Sequence, residues 1–390
     1  MLIGDNDLLY QRRRVAPQDL VTVVKLPRRL PGPPANTIML STADLADLPV
    51  TVRTRDGNRT AHTATDGPSL LPGLQLGAAI AETIADLGGQ HRSAFQTPVF
   101  CATRHQGGWH VYSRAHQRPG RWCFIRTSTE PITATVDDLC WLDPAVALHA
   151  DHASVLNSHA YTKPPMFAGK EVETKFTLPH QTPIWPLAVQ SHELMTAGAI
   201  PNMVPRFGMD FESRDFDNYL FDVKGPETQR GYVSFMAVRP NLYRLKRKRF
   251  NTDALVREED VSSEFNPGQP LDAYVRDVLR LDARQLPTFR RIRHDIMFES
   301  VATGGHYSII FDRSTLHADP DETLVQCEIE YMRTRSVLAP DIDLIMNEFA
   351  ALTSWCADFL RENGIAANAN YYSKLTFLRD VIQRRPKLRW

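Results

Sequence analysis

The segment Lys170-Glu171-Val172-Glu173-Thr174-Lys175-Phe176-Thr177-Leu178 constrains the fold more than any other stretch of this chain. In an extended strand, side chains alternate between the two faces. Val172, Thr174 and Phe176 therefore share one face, and Glu171, Glu173 and Lys175 share the other. An ordinary half-buried strand turns apolar residues inward and scatters polar ones outside. Here the polar face reads acid, acid, base, a set suited to a metal ion beside an anionic ligand. A second acidic pair with the same spacing, Glu328 and Glu330, lies in the apolar-flanked run 324–332. Basic segments separate the two pairs.

Strand candidates recur from there to residue 332. After the opening strand they fall at 218–223, 231–238, 242–250, 255–261, 288–298, 306–311 and 324–332, with helical stretches at 190–197 and 272–279. Eight strands are enough to close an antiparallel barrel and leave no free edge. Ile342, Ile345, Phe349, Leu352, Cys356 and Phe359 then recur at three- and four-residue spacing. They form one apolar stripe of a helix that Gly364 ends and that packs on the outside of the barrel. The fold class is therefore α+β: an eight-stranded antiparallel β-barrel with flanking helices, preceded by a smaller α+β domain.

The ordered set of charged residues resembles the CYTH superfamily, the triphosphate tunnel metalloenzymes named from class IV adenylate cyclase and thiamine triphosphatase. Their opening Glu-x-Glu-x-Lys is matched by Glu171, Glu173 and Lys175. Arg244, Lys246 and Lys248 follow, then Arg257 with Glu259, Arg291 with Arg293, Asp312 at the end of a strand, and the closing Glu328 and Glu330. The order agrees over roughly residues 165–380. The resemblance implies a tunnel in which Mg²⁺ or Mn²⁺ is held among Glu171, Glu173, Glu259, Asp312, Glu328 and Glu330. Phosphates would lie on Lys175, Arg239, Arg244, Lys246, Lys248, Arg257, Arg291, Arg293 and Lys374. Catalysis would fall to Glu171, Glu173 and Glu330. The implied activity is divalent-metal-dependent hydrolysis of a triphosphate: tripolyphosphate, a nucleoside triphosphate or thiamine triphosphate. A class IV-type nucleotidyl cyclase and a non-catalytic polyphosphate-binding module are the alternatives.

The charge chemistry supports the same idea independently. A barrel interior full of charge is costly unless the charges meet partners. Carboxylates with a hard divalent cation, and lysines and arginines with phosphate oxygens, are such partners. The run Arg244 to Arg249 is basic except at Leu245, so alternation does not fix which face turns inward.

Length sets the domain count. At 390 residues the chain exceeds one ordinary domain. We expect an amino-terminal α+β domain over 1–155, a linker over 156–167 and the barrel domain over 168–390. Residues 1–35 read as irregular, 74–87 as a helix, and 108–112 with 121–125 as a hairpin turning near Pro119-Gly120. Lysine and arginine balance aspartate and glutamate at 45 each. The whole molecule thus carries no electrostatic argument for nucleic acid or acidic membranes. Five scattered cysteines without zinc spacing suit reduced thiols in a cytoplasmic protein. No apolar run is long enough to span a membrane. The expected partner is a small-molecule triphosphate, with a homodimer allowed.

Three other groupings carry less chemistry. His149, Asp151, His152 and His159 lack a standard ligand spacing and read as a loop. His192-Glu193 lacks the second histidine of a zinc-protease helix. Cys101 and Cys123 near His105 and His110 lack an orienting third residue. Trp109 and Trp122 read as core of the first domain.

Overall fold

The computed structural model describes residues 2–5, 16–26, 34–41, 44, 48–63, 78–88, 96–105, 107–118, 121–133, 139–156, 167, 169–206 and 208–386. The chain divides into two compact units. The first is Met1–Lys163 with Ser300–Gly304 and Thr334–Asp341; the second is Pro164–Glu299, Gly305–Arg333 and Ile342–Trp390. The expected linker falls almost wholly outside the described residues.

The first unit is built on an antiparallel sheet of nine described strands. Its order is Thr37–Ser41, Arg121–Arg126, Gly108–Arg118, Gln96–His105, Leu2–Asp5, Leu20–Val24, Val50–Thr54 and Thr60–Thr63, with Ile132–Thr133 paired to Gly108–Arg118. Alternation loads both faces. Tyr112, Trp122 and Phe124 pack on one face with Ile84 of the helix Ala78–Asp86. Phe100 and Val111 pack on the other, where Leu142, Ala145 and Val146 of the helix Leu142–Asp151 cover them. The hairpin read at 108–125 is present, its turn lying outside the described residues. Two readings are corrected. Leu2–Asp5 and Leu20–Val24 are strands at the heart of the sheet, not irregular chain. His149 and Asp151 lie in a helix rather than a loop, because the preceding apolar residues at 142, 145 and 146 need a helical face to reach the sheet. His159 lies outside the described residues.

The second unit is a closed antiparallel barrel of eight strands. They are β1 Lys170–Leu178, β2 Phe211–Val223, β3 Gly231–Arg239, β4 Leu242–Arg249, β5 Val256–Phe265, β6 Phe289–Ser300, β7 Gly305–Leu316 and β8 Thr323–Thr334. Around the barrel they run β6-β7-β8-β1-β5-β4-β3-β2, and β2 returns to β6. Closure depends on the length of β2. Its first half, from Phe211 to Asn218, pairs with β6, while Asn218 to Val223 pairs with β3. Three short strands, Met203–Pro205, Ala283–Gln285 and Ala369–Asn370, add to the rim. The reading at 218–223 caught only the second half of β2, because the first half, Phe-Glu-Ser-Arg-Asp-Phe-Asp, has no apolar alternation. Gly231 starts β3 with φ +130°, and a Cβ there would lie 2.1 Å from the Lys248 carbonyl oxygen. Only glycine lets β3 begin this close to β4.

Helices clothe the barrel where its outer face is apolar. Val172 and Phe176 of β1, Cys327, Ile329 and Tyr331 of β8 and Phe311 of β7 lie under α1 (Ile184–Thr196) and α2 (Ile342–Glu362). The α2 stripe holds at Ile345, Phe349, Leu352, Cys356 and Phe359, but Ile342, its first residue, is half exposed. Gly364 at φ +74° ends the run, with its N–H donating to the Arg361 carbonyl. The α1 helix begins earlier than the expected 190 because Pro186 sits in its first turn, where the missing N–H costs nothing.

A third helix, α3 (Lys374–Arg384), does something different. Ser373 caps it, its hydroxyl accepting from the Thr376 N–H at 3.1 Å. Leu375, Leu378 and Val381 then pack with Leu220, Tyr232, Phe289, Leu316 and Leu324. These barrel residues share the strand face of the charged lining, so α3 meets the interior where it turns apolar. No described helix is long and apolar enough to cross a membrane.

Candidate active site

The inner face of the barrel gathers most of the charged residues singled out above. One cavity is lined by Glu171, Glu173 and Lys175 of β1, Lys246 and Lys248 of β4, Arg257 of β5, Arg291 and Arg293 of β6, Glu328 and Glu330 of β8, and Lys374 of α3. Asn218, Leu220, Tyr232, Ser234 and Ser373 complete it. Register explains the convergence: Glu173 stands opposite Glu330, Lys175 opposite Glu328, and Glu171 opposite Arg257. On β4, Lys246 and Lys248 turn inward, while Leu245 packs outward against the aromatic cluster around Phe235.

The charges hold one another. Lys175 Nζ lies 2.5 Å from Glu173 and 3.3 Å from Glu328. Lys374 Nζ lies 2.6 Å from Glu328 and 3.6 Å from Asp312. Lys248 pairs with Glu171 and reaches Glu173 at 3.4 Å and Glu259 at 3.6 Å. An ammonium thus occupies a cation position among three carboxylates. Lys246 pairs with Glu259 at 3.0 Å, Arg257 with Glu173, and Arg291 with Asp312. Arg293 lies 2.6 Å from Asp295 and 3.6 Å from Glu330. So complete is this mutual pairing that the cavity measures only ≈ 30 Å³, room for a water or two. A larger anion would need to draw lysines and arginines away from the carboxylates.

Burial and neighbours split the acids. Burial would raise Glu171, but Lys248, Lys246, Lys175 and Arg257 outweigh it and hold the carboxyl well below the usual range. Glu328 is likewise held down, by Lys175 and Lys374 against its burial. Glu330 goes the other way: burial and then the charge of Glu171 raise it, and Lys246 and Arg293 compensate only in part. Among the bases, burial lowers Lys374 to about 8, with Arg291 adding to the effect.

Some candidates stand apart. Arg239 is exposed at the end of β3, and Arg244 pairs with Glu264 at 3.0 Å; neither lines the cavity. Asp312 and Glu259 stand behind the lining as partners of Arg291, Lys246 and Lys248. Among the described residues as they are placed, no three acidic, histidine or cysteine side chains form a ready metal cluster. His192 pairs with Asp210 at 3.2 Å, and the Cys101 thiol is pushed up to about 12 by burial, unlike an activated nucleophile. Asp295 was not among the expected site residues, although it lies two residues from Arg293 on the same strand face.

No protein-family model and no curated protein matches the chain. Among solved structures, S. pombe Pct1 RNA triphosphatase in complex with the Spt5 CTD aligns at 11% identity over 55% of this chain and 85% of that one, with a TM-score of 0.23. Pct1 RNA triphosphatase alone aligns at 13% identity over 55% and 84%, with a TM-score of 0.22. The di-domain ARO/CYC BexL from the BE-7585A biosynthetic pathway aligns at 9% identity over 83% and 94%, with a TM-score of 0.17. Scores of this size leave the functional argument to the barrel's own residues.

Proposed function

We propose that the barrel is a divalent-metal-dependent triphosphatase of the tunnel metalloenzyme kind. One observation carries this reading: seven basic side chains from five elements converge with four glutamates on the inside of one closed barrel. Simple anion binding needs bases alone; three buried glutamates among them, with the part-buried Glu330, ask for a cation as well.

The donor set fits Mg²⁺ or Mn²⁺. Glu171, Glu173 and Glu259 offer hard oxygens and already surround the Lys248 ammonium. These three would hold the ion, which when bound neutralises phosphate oxygens and polarises the phosphoryl group. Lys175, Lys246, Lys248, Arg257, Arg291, Arg293 and Lys374 would bind the phosphate chain, arginine by forked hydrogen bonds and lysine as a point charge. Glu330, raised in basicity and approached by Arg293 only to 3.6 Å, would take the proton of the attacking water. That water's oxygen bonds to the terminal phosphorus as the bond to the bridging oxygen breaks. Arg293 and Lys246 would balance the charge that develops on the phosphoryl oxygens.

The decisive experiment incubates the protein with triphosphate compounds and Mg²⁺ or Mn²⁺, separating phosphate, pyrophosphate and cyclic nucleotide. Release of phosphate supports hydrolysis. Pyrophosphate with a cyclic nucleotide would replace it with a cyclase, and tight binding with no product would leave a polyphosphate-binding module.

A further inference from the structure

The charged cavity measures only ≈ 30 Å³ and is walled almost entirely by charged and polar side chains, so even with its ion pairs opened to admit phosphates, an organic group attached to them would lie elsewhere. A second space, of ≈ 710 Å³, stands beside it. This volume is in the range that takes a drug-sized molecule. Its walls come from the start of β1, Glu227 and Thr228 between β2 and β3, the end of β4, the connection over 250–255 and the start of β5. Its chemistry differs from that of the barrel interior. Phe250, Ala254 and Val256 supply apolar surface, and Asn251 and Thr252 supply an exposed amide and hydroxyl. Such a mixture suits an uncharged ring with a hydrogen-bonding edge better than it suits further phosphates.

Arg257 joins the two spaces, because it lines both. It is 2% exposed, its guanidinium lies over the Phe250 ring at 5.4 Å, and its Nε has no hydrogen-bond partner among the described residues. A buried guanidinium donor left unpaired is costly, and an acceptor on a ligand removes that cost. A molecule filling both spaces would meet this guanidinium where its phosphate chain meets its organic part.

We propose that this groove is a second binding site, taking the nucleoside of a nucleoside triphosphate whose phosphates occupy the barrel. The proposal rests on the triphosphate reading of the barrel and adds where and how the organic group is selected.

The test fills the groove without touching the phosphate track. Ala254→Trp and, separately, Thr252→Trp are compared with the unaltered protein in two measurements with Mg²⁺ present. Calorimetry compares binding of a β,γ-imido nucleoside triphosphate with binding of tripolyphosphate, and initial rates compare a nucleoside triphosphate with tripolyphosphate. Both variants are expected to lower the nucleotide-to-tripolyphosphate ratio of affinities, and of kcat/KM, at least tenfold. An unchanged ratio in a variant that still binds tripolyphosphate overturns the groove. If neither compound is turned over yet the analogue loses affinity selectively in the variants, the groove stands and hydrolysis falls. If tripolyphosphate is hydrolysed and the ratio does not move, hydrolysis stands and the groove falls.

Discussion

Glu173 and Glu330 face each other as direct cross-strand partners on the inner wall of the barrel, yet their surroundings are unequal. Glu173 is gripped by Lys175 at 2.5 Å and by Arg257, whereas Glu330 has Arg293 at 3.6 Å. Neutralising one carboxylate should therefore have a different consequence from neutralising the other. Both Glu173→Gln and Glu330→Gln are expected to lower turnover more than tenfold. Glu173→Gln also leaves Arg257 and Lys175 under-compensated inside the barrel, at a cost on the order of 3 kcal/mol of stability. Glu330→Gln relieves a repulsion with Glu171, so its Tm without metal should equal or exceed that of the unaltered protein. Opposite Tm changes, with both activities lost, are the signature to look for; near-normal rates in both variants would remove these residues from the chemistry.

Chelation is expected to abolish hydrolysis, and Mg²⁺ or Mn²⁺ to restore it. The reason is the Lys248 ammonium, now enclosed by Glu171, Glu173 and Glu259. A phosphate chain that draws Lys248 toward itself leaves three carboxylates needing a cation. Metal and a triphosphate analogue should therefore raise Tm together by more than the sum of their separate effects, since each completes the other's site. Full turnover after exhaustive chelation would end the metal assignment.

How far these residues could be read from sequence depended on local contrast. β1 and β8 were legible because acid-x-acid faces alternate with residues as apolar as Phe176 and Ile329. β4 was not: with only Leu245 to orient it, the choice of inner face waited on register, which sets Lys248 opposite Glu259 and turns Arg247 to the Gln229 carbonyl. The first half of β2 was missed because a strand paired to the charged β6 can itself be polar; Asp215 meets Arg290 there. The α3 helix carries a readable signal, Ser373 followed by apolar residues at 375, 378 and 381. Lys374 entered the expected site only through the family resemblance, since its contact with Glu328, so distant in sequence, leaves no periodicity. The short strand Leu2–Asp5 gains its place from sheet pairing, whereas Leu20–Val24 carries a β-branched run, Leu-Val-Thr-Val-Val, too short by itself to be told from an apolar loop segment.

Lys374 gives the site an alkaline limit. Buried beside Arg291, it releases its proton near pH 8 in the folded protein, against 10.5 for an ordinary lysine. If, as proposed, the charged form binds phosphate, kcat/KM should fall as pH rises through about 8. Stability should move the other way. Between about 8 and 10.5 the unfolded chain holds this proton and the folded chain does not, so this residue makes folding more favourable as pH rises. Lys374→Met should flatten both dependences while lowering kcat/KM at pH 7. A variant that keeps the same alkaline limb would assign it to another group.

The first unit carries its own pH dependence, through His149. The ring is 1% exposed, meets the Phe100 ring edge-on at 6.3 Å, and has no hydrogen-bond partner for either nitrogen among the described residues. Burial, aided by the charge of Arg114, lowers its pKa from 6.5 to about 4. The unfolded chain therefore takes up a proton first on acidification. The neutral ring's contribution is fully present above pH 6.5 and is lost as pH falls from 6.5 toward 4, by about 3 kcal/mol across the whole interval. His149→Leu keeps an apolar side chain in the space and has no proton to gain. Urea midpoints at pH 7.5 and pH 4.5, followed by tryptophan fluorescence, should differ less in the variant than in the unaltered protein. Equal acid sensitivity in the two would mean that the ring is already paired or solvated in the folded state, and that the acid lability of this unit comes from another group.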